Sequence, residues 1–415
     1  SSAASDVYKR QIEKHADEIA LLETLDVGKP ISDTTHVDVP ATVRTIRWSG
    51  EAIDKVYDEI PPTPADTLAL VQRLPLGVVT AIVPWNFPLS TTAWKLAPSL
   101  ATGNSVVLKP ASNTPLSALY IAGLASEAGL PDGVLQVLPG PGGSLGRHLA
   151  MHMDIDGLTF TGSTPVGKQL MEYSGQSNLK RTFLELGGKS PNIVFADSNL
   201  EKAAAMAAVA VFYNGGQTCT AGTRLIVEEK IHDRFLEMVT GNARNWMPGN
   251  PLDPATAMGP MIDAGQFNTV SEYVGIGQGE GADLVFGGKR MLEETGGYYH
   301  QPSIFGGVHN AMRIAQEEIF GPVLSVIPFK TAEEAVAIAN DSIFGLAGAV
   351  WSNNINTAHK VAEAVRVGTM GINNYFGGDI TVPFGGFKQS GNGRDKSIHA
   401  FHDYTELKTT WIEFE

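Results

Sequence analysis

The chain has 415 residues, of which 43% are hydrophobic and 18% are charged, and its formal net charge at pH 7 is −14. This length is enough for a large core and for two or three domains. The acidic balance excludes a nucleic-acid or anionic-membrane surface, because both of those partners bind basic patches.

Targeting signals and cysteines narrow the class of protein further. No apolar run approaches the roughly 18 residues that span a bilayer, and residues 1–11 lack the apolar core of a signal peptide, which favours a cytoplasmic location. The chain opens with Ser1-Ser2-Ala3-Ala4-Ser5 and no methionine, so we treat residues 1–11 as candidate junction sequence.

Cys219 is the only cysteine, which excludes an intrachain disulfide and a cysteine-rich metal site. We predict no bound metal.

The first elements are helices followed by an extended segment. An opening surface helix that ends at Gly28-Lys29-Pro30 is predicted by apolar residues at helical spacing, namely Ile12, Ala16, Ile19 and Ala20. A second helix is predicted over residues 38–55. The proline-rich stretch 61–66 and the apolar stretch 68–76 then predict a linker or an arm.

From residue 78 onward, short apolar runs alternate with helical segments. The runs predicted as buried strands are 78–83, 105–108, 134–137 and 158–160, and the helices are expected to begin near Leu89, Pro115, Gly143 and Pro165. Such alternation predicts right-handed crossovers and a parallel, doubly wound sheet, which is a nucleotide-binding architecture.

A second alternating region predicts a second α/β domain. Its strands are expected at 193–195, 225–227, 323–329 and 347–350, and its helices at 200–214, from 231, and at 332–340. The C-terminal stretch 404–414 is rich in Thr, Trp, Ile and Phe, which is typical of an edge strand, here one that completes a sheet in a partner subunit.

Cys219 lies in the glycine-flanked segment 214–222, directly after a predicted helix. An isolated cysteine is more often inert packing than a catalytic group, because free cysteines are among the most buried residues. The flanking glycines favour a catalytic role, since they allow a ligand to approach the backbone closely. A nucleophilic thiol also needs an accessible, polar pocket that stabilises the thiolate.

Glu185 lies between two leucines and is followed by Gly187-Gly188. A salt-bridged or solvent-facing glutamate is the commoner case. A carboxylate flanked by leucines would instead be desolvated, and its pKa would rise towards neutrality. Such a group can take a proton from water, so Glu185 is a candidate general base.

Asn86 lies in the segment Pro84-Trp85-Asn86-Phe87-Pro88, which ends a predicted strand at the carboxyl edge of the sheet, where such folds bind ligands. Because the segment contains two prolines and two aromatic residues, it is equally consistent with a rigid turn that has no catalytic role. An uncharged amide, however, can donate to developing negative charge, as an oxyanion hole requires.

The segment 160–167 contains a glycine turn between a strand and a helix. It lacks the G-x-G-x-x-G pattern, and a glycine before a helix is usually only turn chemistry. The backbone amides of Gly162 and Ser163 can nevertheless hold a pyrophosphate at the helix N-terminus. Lys109 follows another predicted strand, so its ammonium is expected at the same carboxyl edge of the sheet. A lysine at such a position is ordinarily an exposed surface residue.

Several independent motifs occur together in one order, namely 84–88, Lys109-Pro110, 160–167, 185–188, 216–219, 317–322 and 383–386. In these motifs the sequence resembles the aldehyde dehydrogenase superfamily from about residue 12 to the end. Members usually carry several tens of further residues before the first helix, so the resemblance implies N-terminal truncation.

The resemblance implies an α/β fold with a Rossmann-type parallel sheet cofactor domain, an α/β catalytic domain and a small oligomerisation arm. We expect the dinucleotide-binding domain to comprise residues 1–56 and 76–187, and the catalytic domain residues 188–387. The arm would comprise 57–75 and 400–415 and would join subunits into a homodimer or homotetramer.

The same resemblance implies roles for individual residues. Cys219 would be the nucleophile, the Asn86 side chain and the Cys219 backbone N–H the oxyanion hole, and Glu185 the base that activates the hydrolytic water. Residues implied for the cofactor are Lys109 and Glu318 at the riboses, Phe320 at the nicotinamide, and Trp85, Gly162, Ser163 and Gly187 along the groove. The presence of Glu185 favours hydrolysis over the coenzyme A-acylating branch, whose members commonly lack it.

The implied cofactor is NAD or NADP. Where many NAD-preferring relatives carry a glutamate that repels a 2′-phosphate, this sequence has Ser112. A neutral hydroxyl removes that repulsion and Lys109 is near enough in sequence to pair with the phosphate. We therefore predict that NADP is accepted at least comparably with NAD.

The substrate prediction depends on several stretches of the sequence. Residues 385–400 and 405–409 resemble the γ-glutamyl-γ-aminobutyraldehyde dehydrogenases of putrescine breakdown, and residues 214–224 and 248–256 also resemble them. This resemblance favours an aminoaldehyde. A broad aliphatic or betaine aldehyde specificity is the alternative. The candidate tunnel residues are Trp94, Tyr213 and Phe384, which are equally consistent with core packing. Asp379 is a candidate to attract a substrate nitrogen at the tunnel mouth, although a solvated loop aspartate is the commoner case.

Two other classes of protein compete with an aldehyde dehydrogenase. A non-catalytic structural or binding descendant of the fold would have no reason to retain Cys219, Asn86 and Glu185 together. A cofactor-free cysteine hydrolase would need a histidine beside the thiol. No motif places His15, His36, His148 or His152 there.

Overall fold

A computed structural model describes residues 2–415, with side chains from residue 8 onward. The helices are α1 Ser2–Lys14, α2 Ala16–Val27, α3 Ile31–Asp33, α4 Val39–Ala52, α5 Pro88–Ala101, α6 Leu116–Glu127, α7 Arg147–Met151, α8 Thr164–Gln176, α9 Leu200–Phe212, α10 His232–Ala243, α11 Ala264–Gly279, α12 Arg313–Gln316, α13 Ala332–Asn340, α14 Ile355–Ala364 and α15 Ser397–Asp403. The strands are β1 Thr67–Pro75, β2 Val78–Ile82, β3 Ser105–Lys109, β4 Leu135–Val137, β5 Gly157–Thr161, β6 Arg181–Glu185, β7 Pro191–Val194, β8 Arg224–Glu228, β9 Asp283–Phe286, β10 Arg290–Met291, β11 Tyr299–His300, β12 Ser303–Gly306, β13 Val323–Phe329, β14 Phe344–Gly345, β15 Ala347–Trp351, β16 Thr369–Ile372, β17 Phe387–Lys388 and β18 Thr405–Glu413.

The first sheet has five strands in the order β4-β3-β2-β5-β6, and every neighbouring pair is parallel. The doubly wound sheet predicted from the apolar runs is therefore confirmed. The strand order reverses between β2 and β5, and ligands of such sheets bind outside the carboxyl ends of the strands at this switch point.

Helices α1, α2, α4, α5 and α6 share one apolar core that covers this sheet. The single opening helix expected from the sequence is divided at His15 into α1 and α2, and α2 ends at Gly28 in the left-handed conformation with φ 78°. Tyr8 lies within the segment treated as candidate junction sequence, yet its side chain is buried and its hydroxyl donates to the Ile121 carbonyl at 2.9 Å. Residue 8 is thus part of the core.

The second sheet has seven strands in the order β16-β15-β7-β8-β13-β12-β9. Its core includes the alanine-rich face of α9, with Ala203, Ala204, Ala207 and Ala208 fully buried beside Trp351. Helix α11 was not predicted, because its sequence contains four glycines and its helical signal is weak. Its buried residues Phe267, Val270 and Val274 nevertheless recur at helical spacing.

The C-terminal strand β18 pairs antiparallel with β1 of its own chain, from Thr67 opposite Glu413 to Pro75 opposite Thr405. The two segments expected to form an arm therefore do so together. Completion of a partner's sheet by this arm stays a prediction. No helix within residues 2–415 is both long and apolar enough to cross a membrane.

The segment after β16 returns to the end of the first sheet and joins the two halves of the molecule. The Leu186 amide donates to the Ser390 carbonyl at 2.9 Å, and the Asn392 amide donates to the Leu184 carbonyl at 3.0 Å. The buried Lys95 ammonium on α5 lies 2.7 Å from the Asp395 carboxylate. These contacts place residues of the C-terminal segment beside the carboxyl end of β6.

Candidate active site

A cavity of about 860 Å³ opens at the carboxyl ends of β2, β5 and β6. Loops of the second half of the chain, residues 218–220 and 318–320, form its opposite side. It brings together every site residue expected from the sequence except Ser112 and Asp379, namely Trp85, Asn86, Trp94, Lys109, Gly162, Ser163, Glu185, Gly187, Tyr213, Cys219, Glu318, Phe320 and Phe384.

The loop that carries Cys219 begins with a run of left-handed residues after α9. Asn214, Gly215 and Gly216 have φ values of 52°, 63° and 71°. A Cβ on Gly216 would lie 2.2 Å from the Gly321 carbonyl oxygen, so only glycine fits there. The turn leaves Cys219 partly exposed in the cavity rather than packed in a dry core.

The surroundings of the thiol differ from those expected of a nucleophile. Burial, followed by the nearby carboxylates of Glu318 and Glu185, raises the pKa of Cys219 to about 12. Nearby backbone N–H groups only partly offset this effect. In the protein without ligands these surroundings favour the neutral thiol, so stabilisation of the thiolate by the pocket stays a prediction.

Asn86 is held against the Cys219 loop by its own amide. Its Nδ2 donates to the Gln217 carbonyl at 2.8 Å, and Asn214 Nδ2 donates to the Asn86 carbonyl at 3.1 Å. A side-chain amide has two N–H donors, so one of them remains for a ligand in the cavity. Asn86 is therefore fixed in a position from which it can donate near the sulfur.

Glu185 ends β6 and is 2% exposed. Among residues 8–415, neither of its carboxylate oxygens has a hydrogen-bond partner. Burial, and then the charge of Asp395, raises the pKa of Glu185 well above its usual range, while Lys95 and Arg394 act in the opposite direction. This direction agrees with the rise in pKa expected from the sequence.

One end of the cavity has the features of a dinucleotide groove. Helix α8 begins at Thr164 without a side-chain cap from Ser163 and without an acidic residue in its first turn, so free backbone N–H groups lie beside Gly162 and Ser163. Lys109 is buried rather than exposed, which lowers the pKa of its ammonium, and Nζ donates to the Pro110 carbonyl at 2.8 Å.

Glu318 and Phe320 are positioned by close backbone contacts. The Gly188 amide donates to Glu318 Oε1 at 3.0 Å, and a Cβ on Gly187 would lie 2.0 Å from Glu318 Oε2. Burial raises the pKa of Glu318 to about 7. Phe320 has φ 57° and its ring lies edge-on to Trp85, with 5.2 Å between the ring centroids.

Aromatic side chains form the other end of the cavity. The Trp94 and Phe384 rings lie 5.3 Å apart, and Tyr213 lies 6.2 Å from Phe87 and 6.1 Å from Phe376. Three of the four candidate tunnel residues therefore line the cavity instead of the core.

The remaining two expected residues lie outside it. Asp379 is half exposed, and its carboxylate lies 3.6 Å from the Arg44 guanidinium. Gly378, next to it in the chain, does line the cavity, so a role for Asp379 at the tunnel mouth stays a prediction. Ser112 does not line the cavity either, and its hydroxyl donates to the Gly140 carbonyl at 3.0 Å.

Several lining residues were missed by sequence analysis. Gln266 at the start of α11 donates to the carbonyls of Ile319 and Phe320 at 3.0 and 2.7 Å, and so supports the Phe320 turn. Arg147 and Lys396 place cations at the cavity wall. A lysine or arginine is ordinarily exposed, so only the fold reveals these two. No histidine occurs among the lining residues, all of which lie in the described part of the chain.

The doubly wound sheet, the cavity at its switch point and the cysteine loop define a class of protein. The chain belongs to the aldehyde dehydrogenase family, whose model matches residues 6–410. It is therefore an oxidoreductase that oxidises aldehydes with NAD or NADP as acceptor.

Individual relatives agree over nearly the whole chain. The NADP/NAD-dependent aldehyde dehydrogenase PuuC of Escherichia coli is 53% identical over 405 residues, which cover 97% of this chain and 81% of that protein. Human retinal dehydrogenase 2 is 45% identical over 402 residues, covering 97% and 77%. An indole-3-acetaldehyde dehydrogenase solved with NAD⁺ is 61% identical, with a TM-score of 0.98 and coverage of 100% and 84%. A γ-glutamyl-γ-aminobutyraldehyde dehydrogenase structure from Burkholderia cenocepacia is 53% identical, with the same TM-score and coverage.

Proposed function

We propose that this aldehyde dehydrogenase oxidises an aminoaldehyde of the γ-glutamyl-γ-aminobutyraldehyde kind to its carboxylic acid, by covalent catalysis at Cys219. The observation that carries the chemistry is one cavity that contains the thiol, the Asn86 amide and the unpartnered Glu185 carboxyl. The substrate class is supported by similarity to PuuC and to the Burkholderia enzyme named for that aldehyde.

The proposed reaction assigns one role to each of these groups. Deprotonated Cys219 attacks the aldehyde carbon, and the oxyanion accepts hydrogen bonds from Asn86 Nδ2 and the Cys219 backbone N–H. The bound nicotinamide supplies a hydride acceptor for the resulting adduct, which becomes a thioester on Cys219. Glu185 then takes a proton from water, and the hydroxide releases the acid. The raised pKa of Glu185 makes its carboxylate a stronger base towards water than that of an exposed glutamate.

The cavity fits a dinucleotide by its own features. The uncapped N-terminus of α8 offers N–H donors to a pyrophosphate, and Lys109 and Glu318 would hold the ribose hydroxyls. Trp85, Phe320 and Gly187 would flank the nicotinamide, where the absence of a side chain at Gly187 leaves Glu318 room.

Acceptance of NADP is part of the proposal. Lys109 and Arg147 place two cations on the cofactor side of the cavity, and Ser112 brings no carboxylate to that side. Paired kinetics should show NADP used at least comparably with NAD, whereas Ser112→Glu should reduce kcat/KM for NADP far more than for NAD. A large NAD preference in the wild type would contradict the proposal.

A second candidate substrate is an aromatic aldehyde. The solved indole-3-acetaldehyde dehydrogenase is 61% identical, and the substrate end of this cavity is lined by Trp94, Tyr213 and Phe384. Flat rings pack well against such walls.

An aldehyde panel tests the substrate proposal. Reduced nicotinamide absorbance should be followed with γ-glutamyl-γ-aminobutyraldehyde, betaine aldehyde, propanal and indole-3-acetaldehyde, each with NAD and with NADP. The highest kcat/KM is expected for the γ-glutamyl compound. A flat profile would instead support the broad-specificity alternative, and a maximum at the indole compound would support the aromatic one.

We also propose the domain limits expected from the sequence and an oligomer joined through the arm. Cofactor-binding residues would come from 1–56 and 76–187, and Cys219 from 188–387. Subunits would pair through 57–75 and 400–415, where β18 has one edge that β1 leaves free. Sedimentation should find a dimer or tetramer, and a monomer would contradict the role of the arm.

A further inference from the structure

Lys396 is a cation in the substrate half of the cavity that the proposed reaction does not use. It lines the same cavity as Cys219, and its Nζ lies 4.5 Å from the centroid of the Trp94 ring and 5.4 Å from that of Phe384. Aromatic faces attract an ammonium group, so the two rings hold this side chain along the cavity wall.

Lys396 lies in a backbone turn with positive φ values. Lys396 and Ser397 have φ values of 63° and 54°, a conformation that is uncommon for residues other than glycine. The turn is held by paired backbone hydrogen bonds between Phe384 and Asp395, both of 2.8 Å, and by the Ser397 amide, which donates to the Ile380 carbonyl at 2.8 Å. Surrounding contacts thus maintain a strained turn at the cavity.

The charge of Lys396 is not matched by any acid around it. Within residues 8–415, no carboxylate lies within 4.0 Å of its Nζ and no atom accepts a hydrogen bond from it. The carboxylates that act on it electrostatically have other cations, since Asp395 binds Lys95 at 2.7 Å and Asp379 pairs with Arg44 at 3.6 Å.

A further carboxylate at the cavity also has its own cation and does not neutralise Lys396. Asp38 lines the cavity, and its carboxylate lies 2.7 Å from the Lys29 ammonium. Burial lowers the pKa of Lys396, and it outweighs the favourable effects of Asp395, Asp379 and the Cys219 thiolate. An anionic ligand would both satisfy the ammonium and favour its charged form.

We propose that Lys396 is the anion-recognition residue of the substrate tunnel, and that it binds a carboxylate carried by the aldehyde at its end remote from the reacting carbon. It also disfavours aldehydes that bring an ammonium group without a carboxylate to this position. The inference rests on the proposed function, because it takes the aromatic end of the cavity as the path to Cys219. It narrows the aminoaldehyde proposal to compounds that can place a carboxylate at Lys396. γ-Glutamyl-γ-aminobutyraldehyde can do so, because the α-carbon of its glutamyl group carries a carboxylate beside its ammonium group.

The test compares aldehydes of similar length that differ in the remote group. Wild type, Lys396→Met and Lys396→Arg should be assayed with 5-oxopentanoate against pentanal, and with 3-aminopropanal against propanal. Methionine keeps the length and the apolar stem of lysine and removes the charge. Lys360→Met on α14 is the matched control, because Lys360 is exposed and does not line the cavity.

In the wild type, kcat/KM should be higher for 5-oxopentanoate than for pentanal. Lys396→Met should lower this ratio by about 10- to 100-fold, the effect of one charge-assisted hydrogen bond, and should raise the ratio of 3-aminopropanal to propanal. Lys396→Arg should retain the carboxylate preference, and Lys360→Met should match the wild type.

A binding measurement keeps the inference separate from turnover. Glutarate, the acid formed from 5-oxopentanoate, should quench tryptophan fluorescence through its contact near Trp94, and Lys396→Met should weaken its binding by about 10-fold or more. Unchanged kinetic ratios with unchanged glutarate affinity would overturn the role of Lys396 while leaving aldehyde oxidation intact. If none of the aldehydes reduces the cofactor, the proposed function fails, and the glutarate affinities alone decide the role of Lys396.

Discussion

At the residue scale, the chemistry of the site is controlled by burial. Cys219, Glu185 and Glu318 all have pKa values raised principally by desolvation, and burial lowers the pKa of the unpartnered Lys189 to about 7. Each group is therefore favoured in its neutral form before ligands bind. Cys219 must therefore lose a proton before it can attack the aldehyde.

The first prediction concerns the reactivity of Cys219. Because only the thiolate reacts with iodoacetamide and the pKa of Cys219 is raised to about 12, alkylation of the cofactor-free protein should accelerate about tenfold per pH unit between about pH 7 and 10. Mass spectrometry can follow this single cysteine, with Cys219→Ala as the unreactive control. A rate that levels off below about pH 8 would show that the pocket stabilises the thiolate after all.

The second prediction separates the two halves of the reaction. Glu185→Gln should retain a burst of reduced cofactor but lose steady-state turnover by about 100- to 10,000-fold, because the thioester forms and water is no longer deprotonated. Stopped-flow absorbance measures both phases. The exposed Glu201→Gln serves as a control with normal turnover. Unchanged steady-state activity in Glu185→Gln would remove the proposed base.

At the scale of elements, the site depends on the close approach of two loops. A Cβ on Gly188 would lie 2.4 Å from the Cys219 carbonyl oxygen, so the loop after β6 can touch the cysteine loop only if residue 188 has no side chain. The same Gly188 donates its amide to Glu318. One backbone position therefore sets the spacing of three proposed site elements.

The third prediction follows from this contact. Gly188→Ala should lower the free energy of unfolding by about 1 to 3 kcal/mol through overpacking. It should also reduce kcat/KM by about 100-fold, since the reacting groups are displaced by a fraction of an ångström or more. Gly241→Ala in α10 is the matched control, because nothing lies within 4 Å of its added Cβ and alanine favours the helix by about 0.5 to 1 kcal/mol. Wild-type activity in Gly188→Ala would show that the two loops can separate without consequence.

At the scale of the whole molecule, the two sheets are joined by contacts distant in sequence. Lys95 on α5 and Asp395 in the C-terminal segment form a buried ion pair, with Nζ 2.9 and 2.7 Å from the two carboxylate oxygens. Asn104 Nδ2 donates to the Tyr404 carbonyl at 3.0 Å on the same side. Removal of either partner of the ion pair would leave an uncompensated charge in the interior.

The fourth prediction measures this connection. Lys95→Met should reduce the free energy of unfolding by about 3 to 5 kcal/mol in urea, because Asp395 stays buried without its cation. The double variant Lys95→Met with Asp395→Leu should recover much of the loss. A loss below about 1 kcal/mol in the single variant would mean that solvent reaches Asp395 and that the pair does not join the two halves.

The sequence by itself determined the class of protein, the two alternating α/β regions and most of the site. Strand and helix periodicity is a local property, and the motifs around Asn86, Glu185 and Cys219 are short enough to be recognised without a fold. The glycine-rich helix α11 escaped prediction because its local signal is weak and tertiary packing stabilises it.

Only the tertiary structure decided how the charges are paired and which groups are desolvated. Asp379 pairs with Arg44, Asp395 pairs with Lys95, and no carboxylate among residues 8–415 lies within 4.0 Å of Lys396 Nζ. The members of these pairs, like Lys396 and the Trp94 ring, come from positions far apart in the chain. A pKa depends on every charge and on the solvent within several ångströms, whatever the sequence separation. The raised pKa of Cys219 and the cation in the tunnel therefore emerge only when the chain is folded.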